Sequence, residues 1–285
     1  PPQLMGRWDL TDRRAVVTGG SKGLGLACVE EFLALGAQVI LVARGGDELR
    51  LACSALELKY PGKAHACVAD VATGEGRDTV VSKIKGLWEG RLDILVNNVG
   101  TNVRSRLEEA SDEDYHTMVR TNQDSAYFLC KLCLPLLRKG SHPCVVNISS
   151  LAGIRSSGTG VAYAMTKAAL SHMSEALACE WAPDGIRVNC VAPWMARTPL
   201  LEAAVKKDPR QLDLACEGTP LGRLGEPQDT GAMVAFLAMP AAAYITGQVI
   251  AVDGGVAAQG FKGPCIQRKG VVAEPSQPAA KRTKQ

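Results

Sequence analysis

Tyr163 and Lys167 stand four residues apart in Val161-Ala162-Tyr163-Ala164-Met165-Thr166-Lys167. On a helix this spacing puts both side chains on one face. An ammonium beside a phenol lowers the phenol pKa from about 10 towards neutrality, which makes a usable proton donor and acceptor. Upstream, the apolar run before Asn147-Ile148-Ser149-Ser150 reads as a buried strand. A serine at the carboxyl end of a strand in an open α/β sheet faces the ligand crevice. Asn97-Asn98-Val99-Gly100 ends another such run and brings polar amides to the same crevice.

A second cluster lies near the start of the chain. The run Arg14–Thr18 leads into Gly19-Gly20-Ser21-Lys22-Gly23-Leu24-Gly25 and then into helical spacing. Glycines at this position let the backbone approach a pyrophosphate seated on the positive end of the helix. No Gly-Lys-Ser/Thr follows, so this is not a Walker loop. The second apolar run ends Val42-Ala43-Arg44-Gly45 and offers no acid for a ribose 2′-hydroxyl before Asp47. Arg44 and Lys22 instead supply two cations, as a 2′-phosphate requires. The expectation is NADP(H).

The elements that must position these groups alternate strictly. Strands are predicted at 14–18, 39–42, 64–69, 93–96, 143–148, 187–191 and 248–252. Helices are predicted at 24–36, 47–59, 75–88, 112–138 and 161–181, and the stretch after 191 reads as irregular. Several strands are apolar throughout, which means burial on both faces, as in a parallel sheet between helical layers. The fold class is therefore α/β, a single doubly wound Rossmann-type domain with helices on both faces.

The 285 residues, 46% hydrophobic and 21% charged, suit one such domain. Ten cysteines in a chain with no signal pattern at its start imply reduced thiols and a cytoplasmic protein. Cys130 and Cys133 fall in an apolar helical run and read as core, not as a redox or metal pair; no metal site is expected. Residues 261–285 hold six basic side chains and one acid, leaving 26 basic and 28 acidic groups over 1–260. A near-neutral body argues against nucleic acid, and no apolar run is long enough for a membrane helix. The division expected is a catalytic domain over 1–260 and a basic, disordered tail over 261–285. The Lys281-Arg282-Thr283-Lys284 segment offers a weaker nuclear alternative.

TGGSKGLG (18–25), Asp70, NNVG (97–100), Asn122, Ser150 and the Tyr163/Lys167 pair occur in order, and together they resemble the short-chain dehydrogenase/reductase family. RWDL (7–10), VNNVGTN (96–102), LACEWAPDGIRVNCVAPW (177–194) and YITGQVIAVDGG (244–255) resemble the tropinone-reductase-like, plant-type group within it. The resemblance implies seven parallel strands in the order 3-2-1-4-5-6-7. It implies Tyr163 as proton donor, Lys167 on the nicotinamide ribose, Ser150 on the substrate oxygen, and Asn122 holding a water that links Lys167 to solvent. It places Gly19, Ser21, Lys22, Gly23, Leu24, Gly25, Arg44, Asp70, Val71, Asn97, Gly100, Pro193, Ala196 and Thr198 along the cofactor.

Most of the family has Pro-Gly after the sixth strand, whereas here Pro193-Trp194 sets Trp194 near the substrate. Residues 198–221 would form a lid, apolar on its inner side through Leu200, Leu201, Ala204 and Val205. No fixed cation or acid is evident in the pocket, although Arg104 and Arg155 could approach it. The implied activity is NADPH-dependent reduction of a small or medium, largely apolar ketone by a homodimer or homotetramer. A 3-oxoacyl-thioester reductase and an NADP(H)-binding regulatory protein with a basic tail are the alternatives.

Overall fold

The computed structural model describes residues 5–206 and 210–259. The basic tail expected at 261–285 lies outside the described residues. Seven strands form one parallel sheet: β1 (Arg14–Thr18), β2 (Gln38–Ala43), β3 (Ala64–Val68), β4 (Ile94–Asn97), β5 (Cys144–Ile148), β6 (Arg187–Pro193) and β7 (Val249–Val252). Their order is β3-β2-β1-β4-β5-β6-β7. The order reverses beside β1, which pairs with β2 on one side and β4 on the other. A crevice opens at such a reversal, beyond the carboxyl ends of the strands.

Alternate residues of each strand feed two cores. Val17, Leu41, Val96 and Val146 face one layer. It comprises α1 (Gly23–Ala34), α2 (Gly46–Lys59) and α9 (Pro227–Ala238). Val16, Ile40, Leu95 and Val145 face the other layer. It holds α3 (Gly74–Trp88), α5 (Ser125–Leu137) and α6 (Val161–Glu180). Cys130 and Cys133 are buried in this second core, and burial pushes the Cys130 thiol up to about 12.

Two expectations need correction. The helix predicted over 112–138 consists of α4 (Asp112–Val119) and α5, joined by a π-helical turn over Arg120–Asp124. The stretch after β6 is not irregular. It contains α7 (Pro199–Val205), α8 (Arg210–Gly218) and α9. A capping box, Glu226 with Asp229, starts α9. Gly231 then lets α9 lie against α1, because a Cβ there would stand 3.0 Å from the Ala27 carbonyl. Helix α9 combines glycine with small apolar residues, so it shows little amphipathic period; contact with α1 supports it instead.

Candidate active site

The loop between β1 and α1 is held from the side by the segment after β4. Asn98 Nδ2 donates to the Thr18 and Gly19 carbonyls at 2.9 and 3.3 Å, and the Asn98 amide donates to Thr18 Oγ1 at 2.9 Å. Gly19 has φ +66, and a Cβ on Gly25 would stand 2.1 Å from the Gly19 carbonyl oxygen. Only glycine allows the helix to start this close to the turn. No side chain caps α1, so its first-turn amides have no capping acceptor. Glycine-permitted backbone and an uncapped helix end together fit a pyrophosphate. Thr198, which caps α7, lies against the same loop: its methyl would be 3.4 Å from a Cβ on Gly23.

Asn97 faces the other way. Neighbouring strand residues point to opposite sides, and its amide donates to Asn147 Oδ1 at 2.8 Å inside the α5–α6 layer. Only its main chain is left to meet a ribose. The two cations expected on a 2′-phosphate already have acidic neighbours. Lys22 pairs with Glu48 at 3.0 Å, and Arg44 lies 3.8 Å from Asp70. Both pairs are exposed, and such pairs contribute about 0–1 kcal/mol, so a phosphate can replace either acid. Asp70 also accepts from the Ala72 amide at 3.0 Å, and the Val71 carbonyl accepts from Arg77 at 2.8 Å. Ser21 is buried within the glycine loop.

Across the crevice, Ser150 follows β5 and caps a short turn, its hydroxyl accepting from the Ala152 amide at 3.2 Å. Tyr163 and Lys167 occupy the first two turns of α6, facing Ser150. The Lys167 ammonium donates to the Ile148 carbonyl at 2.9 Å and lies 5.9 Å from the Tyr163 ring centre. Gly100 lets the loop after β4 pass close by, since a Cβ there would be 3.2 Å from Lys167 Nζ. The π-helical turn delivers Asn122. Its amide group accepts from the Thr101 N–H at 2.7 Å and donates to Thr101 O and Thr166 Oγ1 at 2.9 and 3.0 Å. Asn122 thus ties the loop after β4 to the turn that carries Tyr163 and Lys167. Behind them, Ser149 Oγ donates to the Lys167 carbonyl at 2.8 Å and accepts from Ser171 at 2.9 Å.

The electrostatics depart from expectation at one point. Burial holds the Tyr163 phenol above its ordinary value, and the Ser150 hydrogen bond and the Arg104 charge only partly oppose this. Burial outweighs any lowering by Lys167, whose ammonium lies 5.9 Å from the ring centre and is itself lowered to about 8 by burial. A protonated phenol is the form that donates a proton.

Ser150 and Tyr163 open onto a cleft of about 140 Å³, with Lys167 buried behind them. Leu24, Ser150, Tyr163, Trp194, Thr198 and Leu200 are among its walls. Pro193 ends β6 and Ala196 bridges to Gly225 below it. Of the expected lid residues, Leu201 and Val205 are buried in a small cluster of their own, Leu200 is 54% exposed, and Leu200 and Leu201 both line the cleft. The structure also corrects the reading of a pocket without a cation. Arg104 stands on the cleft wall, while Arg155 turns to the Ile154 carbonyl and is not among the lining residues. Sequence reasoning assigned no role to Asn102, Thr166 or Ser149. The hydroxyls just before Ser150 and Lys167 were the available signal.

The sequence profile described as enoyl-(acyl carrier protein) reductase matches residues 19–257. A tropinone reductase homolog of Arabidopsis thaliana is 42% identical over 256 residues, covering 90% of this chain and 96% of its own. The L-sorbose reductase of Gluconobacter frateurii, solved with NADPH and L-sorbose, is 33% identical with a TM-score of 0.82, covering 88% of this chain and 98% of its own. A gluconate 5-dehydrogenase of Burkholderia cenocepacia, solved with NADP and tartrate, is 29% identical at a TM-score of 0.82, covering 89% and 98%. With the sheet order, the glycine loop and the Ser150, Tyr163 and Lys167 cluster already in place, these matches identify the chain as a member of the short-chain dehydrogenase/reductase family, an oxidoreductase.

Proposed function

We propose that the protein is an NADPH-dependent carbonyl reductase acting on a small or medium ketone with a largely apolar body. The observation that carries this is a protonated phenol and a serine hydroxyl side by side on one cleft, with a buried ammonium one helical turn behind the phenol. The solved relatives named above hold NADPH or NADP, which supports the cofactor. Bound NADPH supplies the hydride. The glycine loop and the start of α1 hold its pyrophosphate, Arg44 and Lys22 its 2′-phosphate, and Lys167 its nicotinamide ribose. Asp70 and the backbone of Val71 border the adenine, and Thr198 the carboxamide.

Ser150 donates to the substrate carbonyl oxygen and stabilises the charge that grows there. Tyr163 then delivers its proton to that oxygen. Asn122 keeps the Tyr163–Lys167 turn in register and holds the water through which Lys167 exchanges protons with solvent. Leu24, Trp194 and Leu200 exclude water from the reacting carbon. The partners are thus a ketone or its alcohol and, by family resemblance, further copies of this chain.

The test is a ketone panel followed by loss of NADPH absorbance. Tyr163→Phe keeps the ring and removes its transferable proton. Turnover should fall by at least about 10²-fold, with NADPH binding nearly unchanged. An unmodified rate in this variant overturns the mechanism.

A further inference from the structure

The cleft carries a charge that reduction of a neutral, apolar ketone does not use. Among the described residues that line it, Arg104 alone is ionised at neutral pH. The segment after β4 places Arg104 opposite α8, where its guanidinium donates to the Gln211 amide oxygen at 3.3 Å. That partner is neutral. Arg106, Arg120, Arg197 and Arg223 each meet a carboxylate within 3.3 Å. No acid among the described residues does this for Arg104.

Arg104 shares the cleft wall with Ser150 and Tyr163, and its charge acts on the Tyr163 phenol against the effect of burial. Two more polar atoms belong to residues of the same walls. The indole N–H of Trp194 and the amide oxygen of Asn102 are buried and have no hydrogen-bond partner among the described residues. Buried polar groups are normally paired, and leaving one unpaired is unfavourable. Neither atom is open to the cleft, so neither decides the ligand; an apolar ketone leaves the exposed Arg104 guanidinium with no acidic partner. A neutral polyhydroxylated ketone leaves it without one too.

Resting on the carbonyl-reductase reading, we propose that the physiological ketone carries a carboxylate and that Arg104 binds it, making Arg104 the specificity-determining residue of the cleft. The planar guanidinium meets a carboxylate through two parallel N–H donors. Ser150 and Tyr163 hold the carbonyl end, and the apolar walls take the carbon chain between. The contact with Gln211 then also links substrate charge to α8.

The experiment compares linear oxo acids, with the carbonyl one to four carbons from the carboxylate, each against its own methyl ester. All are assayed with the full chain and NADPH. At one or more spacings the acid should exceed its ester in kcat/KM by about tenfold or more. Because Arg104 is exposed, that ratio should shrink as salt is added. Arg104→Gln should erase the ratio, Arg104→Lys should keep part of it, and Arg104→Glu should reverse it. Thermal melting of each variant establishes that it is folded.

Esters favoured at every spacing, or a ratio untouched by Arg104→Gln, overturn the inference and leave ketone reduction standing. If the folded, NADPH-binding parent reduces neither acids, esters nor neutral ketones, the underlying reading falls and the inference falls with it.

Discussion

Lys167 is a stabilising residue for chemistry and a destabilising one for the fold. Burial lowers its pKa from 10.5 to about 8, while the unfolded chain keeps the ordinary value. Between those two values the unfolded state binds more protons, so stability rises with pH across this window. Below pH 8 the charged form carries the whole cost, about 3 kcal/mol for a shift of this size. Lys167→Met removes that cost and gives up the bond to the Ile148 carbonyl, worth about 1 kcal/mol. The cofactor-free variant should therefore be more stable than the parent at pH 7 by about 2 kcal/mol in chemical denaturation, while losing turnover. The gap should close as pH rises from 8 to 10.5. A variant less stable than the parent at pH 7 would show that the ammonium is not desolvated. A site that gains stability when its chemistry is removed is the usual trade between activity and stability.

Among the elements, the end of β2 and the start of α1 carry the cations proposed to select NADPH. Arg44 leaves the sheet at the edge of the crevice, and Lys22 leaves the glycine loop on the same side. Their acidic neighbours Glu48 and Asp70 are exposed and weakly held. Charge-assisted bonds to a 2′-phosphate are stronger than exposed pairs of this kind. The parent should use NADPH in preference to NADH by about tenfold or more. Arg44→Asp should erase or reverse that preference, because it adds a second acid beside Asp70 and removes the cation. Initial rates with both cofactors decide it; equal use of the two by the parent would refute the assignment.

For the whole molecule, one face of the sheet is covered by helices that still expose apolar surface. Tyr127, Phe128 and Leu132 of α5 are 51%, 39% and 38% exposed, and Val161 and Met165 of α6 just over half. Helix α5 also buries a full face against the sheet through Leu129, Cys130, Cys133 and Leu137. Such exposed apolar surface is what a second copy of the chain would cover. The parent should be a dimer or tetramer by light scattering at micromolar concentration. Replacing Phe128 and Leu132 together by Glu should shift it to smaller species. A monomeric parent would contradict this. Among the described residues no helix is long and apolar enough to cross a membrane.

Local pattern was enough for the doubly wound sheet, the glycine loop and the Tyr163–Lys167 pair, because each depends on residues within a few positions of one another. Apolar strands declare burial on both faces, and a spacing of four declares a shared helical face. Tertiary structure decided the rest, through partners far apart in the chain. It turned Asn98, not Asn97, towards the glycine loop, because only one of two adjacent strand residues can face it. It set Glu48 beside Lys22, 26 residues away, and Gln211 beside Arg104, 107 residues away. It raised the Tyr163 phenol where the spacing to Lys167 suggested a drop, since desolvation depends on everything packed around the ring. Residue types and spacings name the groups that can react. Burial and distant neighbours set their charge, and those are properties of the folded chain alone.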